Sequence, residues 1–224
     1  MKTLVKLFVL LISTTLFAQN TIEKEVGEFT ELKVFDLIQV ELKKAKENKV
    51  IISGDDKEDV IVDNTNGKLK IKMKLGKAFN GAETKVALYY TTVDIIDANE
   101  GSKITSDDTI EQFEIDLKTQ EGGVISLPIK VKYANIRSVT GGSITTTGTS
   151  KKQNVTLLTG GIYDGQSLTT HSTDVSISAG GEAHVNASSK VDAKVRAGGM
   201  VYVYGNPAEV NEKVTLGGKV KIVK

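Results

Sequence analysis

Apolar and polar residues alternate with a period of two through the last third of the chain. Three successive stretches share the pattern, and their apolar positions are Val175, Ile177, Ala179, Ala183 and Val185; Ala193, Val195, Ala197, Val201 and Val203; and Val214, Leu216, Val220 and Ile222. A half-buried strand shows this alternation, whereas a helix repeats its apolar positions every three or four residues. The sequence therefore predicts strands whose apolar side chains, including those of Val195, Val201 and Val220, point into a core.

Pairs of glycines divide these strands at nearly constant intervals. The pairs begin at Gly122, Gly141, Gly160, Gly180, Gly198 and Gly217, so the intervals are 19, 19, 20, 18 and 19 residues. A repeat of about 20 residues is typical of a solenoid in which each repeat forms one coil. We therefore predict an all-β protein, a parallel β-solenoid with coils of about 19 residues over residues 99–224.

The second glycine of each pair is predicted to be a structural position. These residues are Gly123, Gly142, Gly161, Gly181, Gly199 and Gly218. The alternation is expected to continue through each pair, so the glycines would mark a bend that all coils share, where a Cβ would collide. A phosphate-binding loop would need a following helix and a Lys-Ser/Thr pair, and neither follows these glycines.

The region before the repeats is less regular. Short β-type segments cover residues 34–42, 50–53, 60–62, 69–73 and 86–90, and Asn66-Gly67 is a strong signal for a tight hairpin. We interpret residues 19–98 as a β-rich region of irregular coils or hairpins that covers one end of the solenoid. Residues 19–224 are expected to form one continuous domain.

The N-terminus has the pattern of a secretory signal. Lys2 and Lys6 precede a short apolar stretch at residues 7–17, and Ala18 is a suitable cleavage position before Gln19. We therefore predict a signal peptide at residues 1–18 and no transmembrane anchor in the mature chain. The protein would then lie in the periplasm, on the outer-membrane surface or in the medium. The absence of cysteine excludes disulfides and thiolate zinc sites.

Three motifs resemble a known family. They are Phe-x₂-Leu-x-Val followed by Ile-x-Val at residues 29–40, Asn-Gly-x-Leu-x-Ile at residues 66–71, and Gly-Gly-x-Val-x-Val-x-Gly-x-Pro at residues 198–207. Together they resemble the head GIN domain of putative autotransporter adhesins, an exported bacterial domain of unknown function, over roughly residues 22–223. The resemblance implies a right-handed parallel β-helix in a cell-envelope or secreted protein of Bacteroidetes type. It implies no catalytic residues.

The charged and titratable residues indicate no catalytic, metal or cofactor site. Basic and acidic residues balance at 29 and 28, which argues against a nucleic-acid partner. His171 and His184 lack metal-ligand spacing and a neighbouring carboxylate, so both are interpreted as solvated. The acidic cluster at residues 55–59 lacks the spaced ligands of a calcium loop and is interpreted as a solvated turn. No pair of carboxylates suggests a glycosidase, so we predict a protein that is not an enzyme.

One outward-facing group is a candidate contact face. Met200, Tyr202 and Tyr204 alternate with the inward Val201 and Val203, so they should lie on the outside of the strand. Exposed tyrosines often stack on sugars or contribute to protein interfaces. Ordinary cross-strand packing is the alternative. We therefore predict a non-catalytic, adhesin-like exported protein that presents a rigid face to a glycan or an envelope protein. A polysaccharide lyase or hydrolase and a self-stacking architectural protein remain alternatives.

The last strand carries a second candidate feature. Lys219, Lys221 and Lys224 place three charges along residues 218–224. Lysines on an exposed sheet edge oppose pairing with another copy. We expect these lysines to limit end-to-end association.

Overall fold

The computed structural model describes residues 21–223, an all-β solenoid of about seven turns with a spacing of roughly 19 residues. This confirms the predicted fold class. The predicted signal peptide, the cleavage position at Ala18 and Gln19, and Lys224 lie outside the described residues.

Strands account for nearly all regular structure. They are β1 (Ile22–Glu25), β2 (Glu31–Val34), β3 (Gln39–Lys44), β4 (Lys49–Ser53), β5 (Val60–Thr65), β6 (Lys68–Met73), β7 (Lys85–Tyr90), β8 (Ile95–Ala98), β9 (Lys103–Thr105), β10 (Ile110–Thr119), β11 (Val124–Val139), β12 (Ser143–Leu158), β13 (Ile162–Ser178), β14 (Glu182–Arg196), β15 (Met200–Tyr204), β16 (Glu209–Thr215) and β17 (Lys219–Ile222). Three single-turn 3₁₀ helices lie at Lys57–Asp59, Leu75–Lys77 and Gly81–Glu83.

From β8 and β9 onward, each coil pairs in parallel with the next coil along the chain. Ile136, Val155, Val175 and Ala193 occupy the same register position in β11, β12, β13 and β14. The strands of residues 21–223 form one 17-stranded sheet around a continuous apolar core. We call the segments that follow the glycine pairs the leading wall (residues 124–127, 143–146, 162–165, 182–186, 200–204 and 219–222). The segments that precede the pairs form the trailing wall (residues 116–119, 135–138, 154–157, 174–177, 192–196 and 211–215).

A change in the alternation marks the corner between the walls. In β11 the buried positions are odd-numbered up to Val131 and even-numbered from Ala134, because Lys132 and Tyr133 both point outward. The same change occurs in β12 around residues 151–152 and in β13 around residues 171–172. Two consecutive outward residues let one strand serve both walls while its apolar side chains stay in the core.

The predicted alternation through the glycine pairs is wrong at the residue before each pair, and in the last coil Val214 and Ile222, also expected in the core, are 40% and 52% exposed. Ala179, Ala197 and Leu216 were expected to point inward, but they are exposed and have φ angles of 59°, 54° and 57°. This left-handed conformation, shared with the following glycine, makes the tight turn that closes each coil. It also directs the side chain to solvent, and Leu216 is 83% exposed.

The second glycines pack against the preceding coil. A Cβ at Gly199 would lie 2.7 Å from Cγ2 of Ile177 and 3.2 Å from the carbonyl oxygen of Gly181. At Gly161 it would overlap the carbonyl oxygen of Ser138. The first glycine of the pair differs, because a Cβ at Gly198 would have no neighbour within 4 Å.

The N-terminal strands join the solenoid out of sequence order. β2 pairs in parallel with both β6 and β8, and β3 pairs in parallel with both β7 and β9. The coil that contains β2 and β3 therefore lies between two coils that follow it in the chain. β5, β4 and β1 add antiparallel strands beyond β6 and β7.

Two local predictions for this region have different outcomes. The Asn66-Gly67 hairpin is confirmed, since both residues have positive φ angles and join the antiparallel strands β5 and β6. The predicted continuous segment at residues 34–42 is wrong. Asp36 and Leu37 have φ angles of 60° and 64°, so a turn separates β2 from β3. The buried Asp36 carboxylate holds this turn by accepting hydrogen bonds from the backbone N–H groups of Met73 and Phe79 at 2.9 and 3.1 Å.

Glu100 lies near this buried carboxylate and should make stability depend on pH. Burial and the negative charge of Asp36 raise the pKa of Glu100 above its usual value of 4.5. The ionised Glu100 is therefore unfavourable in the folded state above its folded pKa, and the penalty disappears as the pH falls below the unfolded pKa.

We expect Glu100→Gln to raise the melting temperature at pH 7, with a gain that shrinks as the pH approaches 4. Thermal denaturation of both proteins across this pH range measures the effect. Glu121→Gln is the control and should gain less, because Glu121 is exposed and contributes only a minor repulsion to Glu100. A gain independent of pH would show that the ionised carboxylate is not its source.

The core valines allow a direct test of register. Val195 and Val201 are 0% exposed, and Val220 packs partly buried against the same core. We expect Val195→Ala or Val201→Ala to cost about 1–3 kcal/mol of unfolding free energy, and Val220→Ala less. Urea denaturation measures the cost, and the exposed Lys194→Ala should change stability by less than about 0.5 kcal/mol. A larger cost at Lys194 than at Val195 would contradict this register.

Candidate contact face

The predicted face lies on the outside of the leading wall, across three neighbouring rungs. Glu182, Met200 and Lys219 share one register position, and His184, Tyr202 and Lys221 share the next outward position. Asn186 and Tyr204 pair at the position after that. The parallel register thus places Met200, Tyr202 and Tyr204 beside residues about 20 positions away in sequence.

His184 is the centre of this group. Its Nε2 lies 2.9 Å from Oε1 of Glu182, and its Nδ1 lies 3.0 Å from the hydroxyl oxygen of Tyr204. An ionised carboxylate can only accept, so Nε2 donates to Glu182, and Nδ1 of a neutral ring accepts from the Tyr204 O–H. The prediction that no carboxylate accompanies this histidine is wrong. Glu182 lies two residues earlier on the same side of the strand, a spacing that the alternation itself could have revealed.

The rings stack along the solenoid axis. The ring centroids of His184 and Tyr202 are 4.5 Å apart with an interplanar angle of 14°, and Nζ of Lys221 lies 5.9 Å from the Tyr202 centroid on the next rung. His184 and Tyr204 are also stacked, at 5.9 Å. Because neighbouring rungs cover the Tyr202 ring, its edge and hydroxyl group face outward. The face therefore offers hydrogen-bonding groups and aromatic edges more than an open ring surface for sugar stacking.

Other predicted residues lie elsewhere. His171 is exposed at a corner of β13. Asp56 and Asp59 in the acidic cluster lie within 4 Å of lysine ammonium groups, Lys77 for both and Lys74 for Asp59. Within residues 21–223 no group of three or more His, Cys, Asp or Glu residues is placed to hold a metal ion.

The edge lysines of the described chain, Lys219 and Lys221, are exposed on β17. Their proposed role in limiting association stays a prediction. Lys221 has an additional contact that the sequence did not indicate, because it lies over Tyr202.

Sequence reasoning missed a second exposed aromatic pair. Phe113 and Tyr133 lie at successive corners with ring centroids 5.4 Å apart, and Nζ of Lys132 lies 5.2 Å from the Phe113 centroid. These residues are about one coil apart in sequence, so only the correct corner assignment would have brought them together.

The family model described as "Putative auto-transporter adhesin, head GIN domain" matches residues 28–207, most of the solenoid. The chain belongs to this family. The family description indicates an adhesin-like protein that is exported or exposed at the cell surface. No helix of this head GIN domain within residues 21–223 is long and apolar enough to span a membrane.

Solved structures resemble this head GIN domain in fold. A putative adhesin from Bacteroides fragilis has a TM-score of 0.83 at 18% identity, with 91% of this chain and 96% of that chain covered. A putative lipid binding protein from Parabacteroides distasonis has a TM-score of 0.72 at 16% identity, with 91% and 96% covered. A putative adhesin from Parabacteroides merdae has a TM-score of 0.72 at 16% identity, with 91% and 95% covered. Sequence identities of 16–18% show only that these proteins share a fold with this chain. No curated protein matches the sequence.

Proposed function

We propose that this head GIN domain is a non-catalytic exported protein that binds a glycan or an envelope protein through the tyrosines of its leading wall. The main support for this proposal is the hydrogen-bonded stack of His184, Tyr202 and Tyr204. Ordering a free side chain on binding costs roughly 0.5–1.5 kcal/mol, and side chains that are already fixed avoid much of this cost. Tyrosine also combines apolar area with a hydroxyl group, which suits a contact surface.

The solenoid supports this proposal through its regularity. Parallel pairing fixes each outward side chain relative to the next rung, about 4.8 Å away. A ligand with its own repeat would therefore meet an ordered surface, without a loop having to close over it.

A binding assay combined with a degradation assay tests this function. The purified protein is applied to a glycan array and incubated in parallel with soluble polysaccharides. Binding without turnover supports an adhesin-like protein, whereas turnover supports the alternative of a polysaccharide-active enzyme. If neither occurs and sedimentation shows end-to-end oligomers, the self-stacking architectural protein is favoured.

The double substitution Tyr202→Ser and Tyr204→Ser should weaken ligand binding by about tenfold or more, since central tyrosines often dominate an interface. Far-ultraviolet circular dichroism should stay unchanged, because both side chains point away from the core. Tyr89→Ser is the matched control, as it removes an outward tyrosine at the other end of the solenoid. If the double variant binds the ligand as tightly as the parent protein, this face is not the binding site.

A further inference from the structure

A groove of about 460 Å³ crosses the outside of the trailing wall, away from the tyrosine group. One side carries a column of amides and carboxylates, namely Asn154, Asp174, Asp192 and Asn211. The other side carries a column of hydroxyls and amines, namely Thr156, Ser176, Lys194 and Lys213. We call this surface the trailing groove.

The carboxylates of the trailing groove already have cationic partners. Nζ of Lys152 lies 2.6 Å from Asp174, and Nζ of Lys190 lies 3.3 Å from Asp192. Asn211 donates a hydrogen bond to Asp192 at 2.9 Å, and this bond, with help from Lys190, lowers the pKa of Asp192. Each of these two carboxylates lies beside a lysine ammonium group, and its free lone pairs can accept hydrogen bonds from ligand hydroxyl groups.

The cations on the other side have no such partners. Lys194 and Lys213 occupy the same register position on adjacent rungs, about 4.8 Å apart along the axis. Arg196 points outward two residues after Lys194. All three side chains are exposed, and none forms an ion pair with another described residue. Three neighbouring unpaired cations repel one another, and an anionic ligand would relieve this repulsion.

The surface chemistry favours a polar ligand over a membrane. Val155, Val175 and Ala193 beneath the trailing groove are buried, so the groove offers no apolar side chain for insertion into a bilayer. The exposed Glu212 also borders the groove, at the register position of the inward Ala193. Hydroxyl and amide groups beside cations match a chain that carries acidic groups together with many hydroxyls.

We propose that the trailing groove binds an anionic polysaccharide, bearing carboxylate or sulfate groups, along the solenoid axis. Lys194, Arg196 and Lys213 bind the acidic groups through charge-assisted hydrogen bonds, and Ser176 and the amide column bind the hydroxyls. This inference rests on the proposed adhesin-like function and adds to it a second glycan-binding surface, separate from the tyrosine face.

The test uses dextran sulfate, polygalacturonate and uncharged dextran as probes for the purified protein. The triple variant Lys194→Gln, Arg196→Gln and Lys213→Gln should bind the two anionic probes about tenfold or more weakly. Added salt should weaken binding by the parent protein and have less effect on the variant. The matched control changes Lys72, Lys85 and Lys103 to Gln, which removes three exposed cations from the N-terminal strands β6, β7 and β9 and should retain binding. Thermal denaturation confirms that every variant is folded.

The outcomes separate this inference from the proposed function. If the triple variant binds the anionic probes as tightly as the parent protein, the trailing groove is not their binding site. The same follows if the matched control loses as much affinity as the triple variant. In either case a glycan-binding function at another surface still stands. Binding to vesicles of anionic phospholipid but to no polysaccharide overturns it in favour of a lipid surface. If the parent protein binds neither these probes nor the glycan array, the trailing groove and the glycan-binding form of the proposed function are both wrong, and an envelope protein is the remaining ligand of the proposed function.

Discussion

Gly199→Val should yield no soluble folded protein. Gly199 has a φ angle of 116°, and any Cβ there would lie 2.7 Å from the Ile177 side chain in the preceding coil. A branched side chain adds further atoms at a point where the coils have no free space, and backbone strain adds to the clash. Gly181→Val should behave in the same way, because its Cβ would lie 2.8 Å from the carbonyl oxygen of Gly161.

The neighbouring glycine is the matched control. Gly198 also has a positive φ angle, of 84°, but a Cβ there would have no neighbour within 4 Å. Gly198→Asn should therefore fold, because asparagine tolerates the left-handed conformation better than most residues. Soluble yield and the urea midpoint measure both variants. If Gly199→Val has the midpoint of the parent protein, the second glycines are not the close-packed positions proposed.

Removing the hydroxyl of Tyr163 should also cause a large loss of stability. A chain of hydrogen bonds crosses the core from Thr146 through Tyr163, Gln153 and Thr173 to Thr170, with donor-acceptor distances of 2.7–3.0 Å. It ends where Thr170 donates to the carbonyl oxygen of Asn186 at 2.7 Å. Tyr163→Phe leaves the buried Thr146 and Gln153 without this partner, at a cost of about 1–3 kcal/mol for each. Urea denaturation measures the total.

A double-mutant cycle identifies the network as the cause. Gln153→Leu should also destabilise the protein, and the double variant should lose less than the sum of the two single losses, because the same hydrogen bond is removed in each. Strict additivity would mean that Tyr163 contributes through packing alone.

The repeat could be predicted from sequence because it depends on local signals. Glycine spacing and alternation identified the coils, and they placed Val195 and Val201 correctly in the core. The same alternation gives Tyr202 its outward position. These assignments need only the period of the strand and the length of the coil.

The interior polar residues could not be predicted in this way. Thr146 and Gln153 are polar, so a hydrophobic pattern assigns them to turns or solvent, yet both are buried and satisfied by Tyr163. Their partners lie up to one coil away, and burial becomes favourable only when all the hydrogen bonds form together. The contacts of His184 with Tyr202 and Tyr204 depended on the same stacking between rungs.

The turn residues were misassigned for a different reason. Alanine and leucine seldom adopt positive φ angles, and an apolar residue in an alternating pattern is normally assigned to the core. Ala179 and Leu216 adopt this conformation because the tight turn between stacked coils requires it. Tertiary geometry therefore overrides a local preference at these positions.

The insertion of β2 and β3 between later coils limits how this solenoid can assemble. In a simple repeat array, each coil pairs with the coil synthesised just before it, and the chain between the paired strands is only one coil long. β2 instead has both of its parallel partners, β6 and β8, later in the chain, across about 37 and 64 residues. More chain entropy is lost in closing these longer loops. When the coil of β2 and β3 leaves the ribosome, both of its parallel neighbours are still to be synthesised, so this coil must wait for later strands before it can pair.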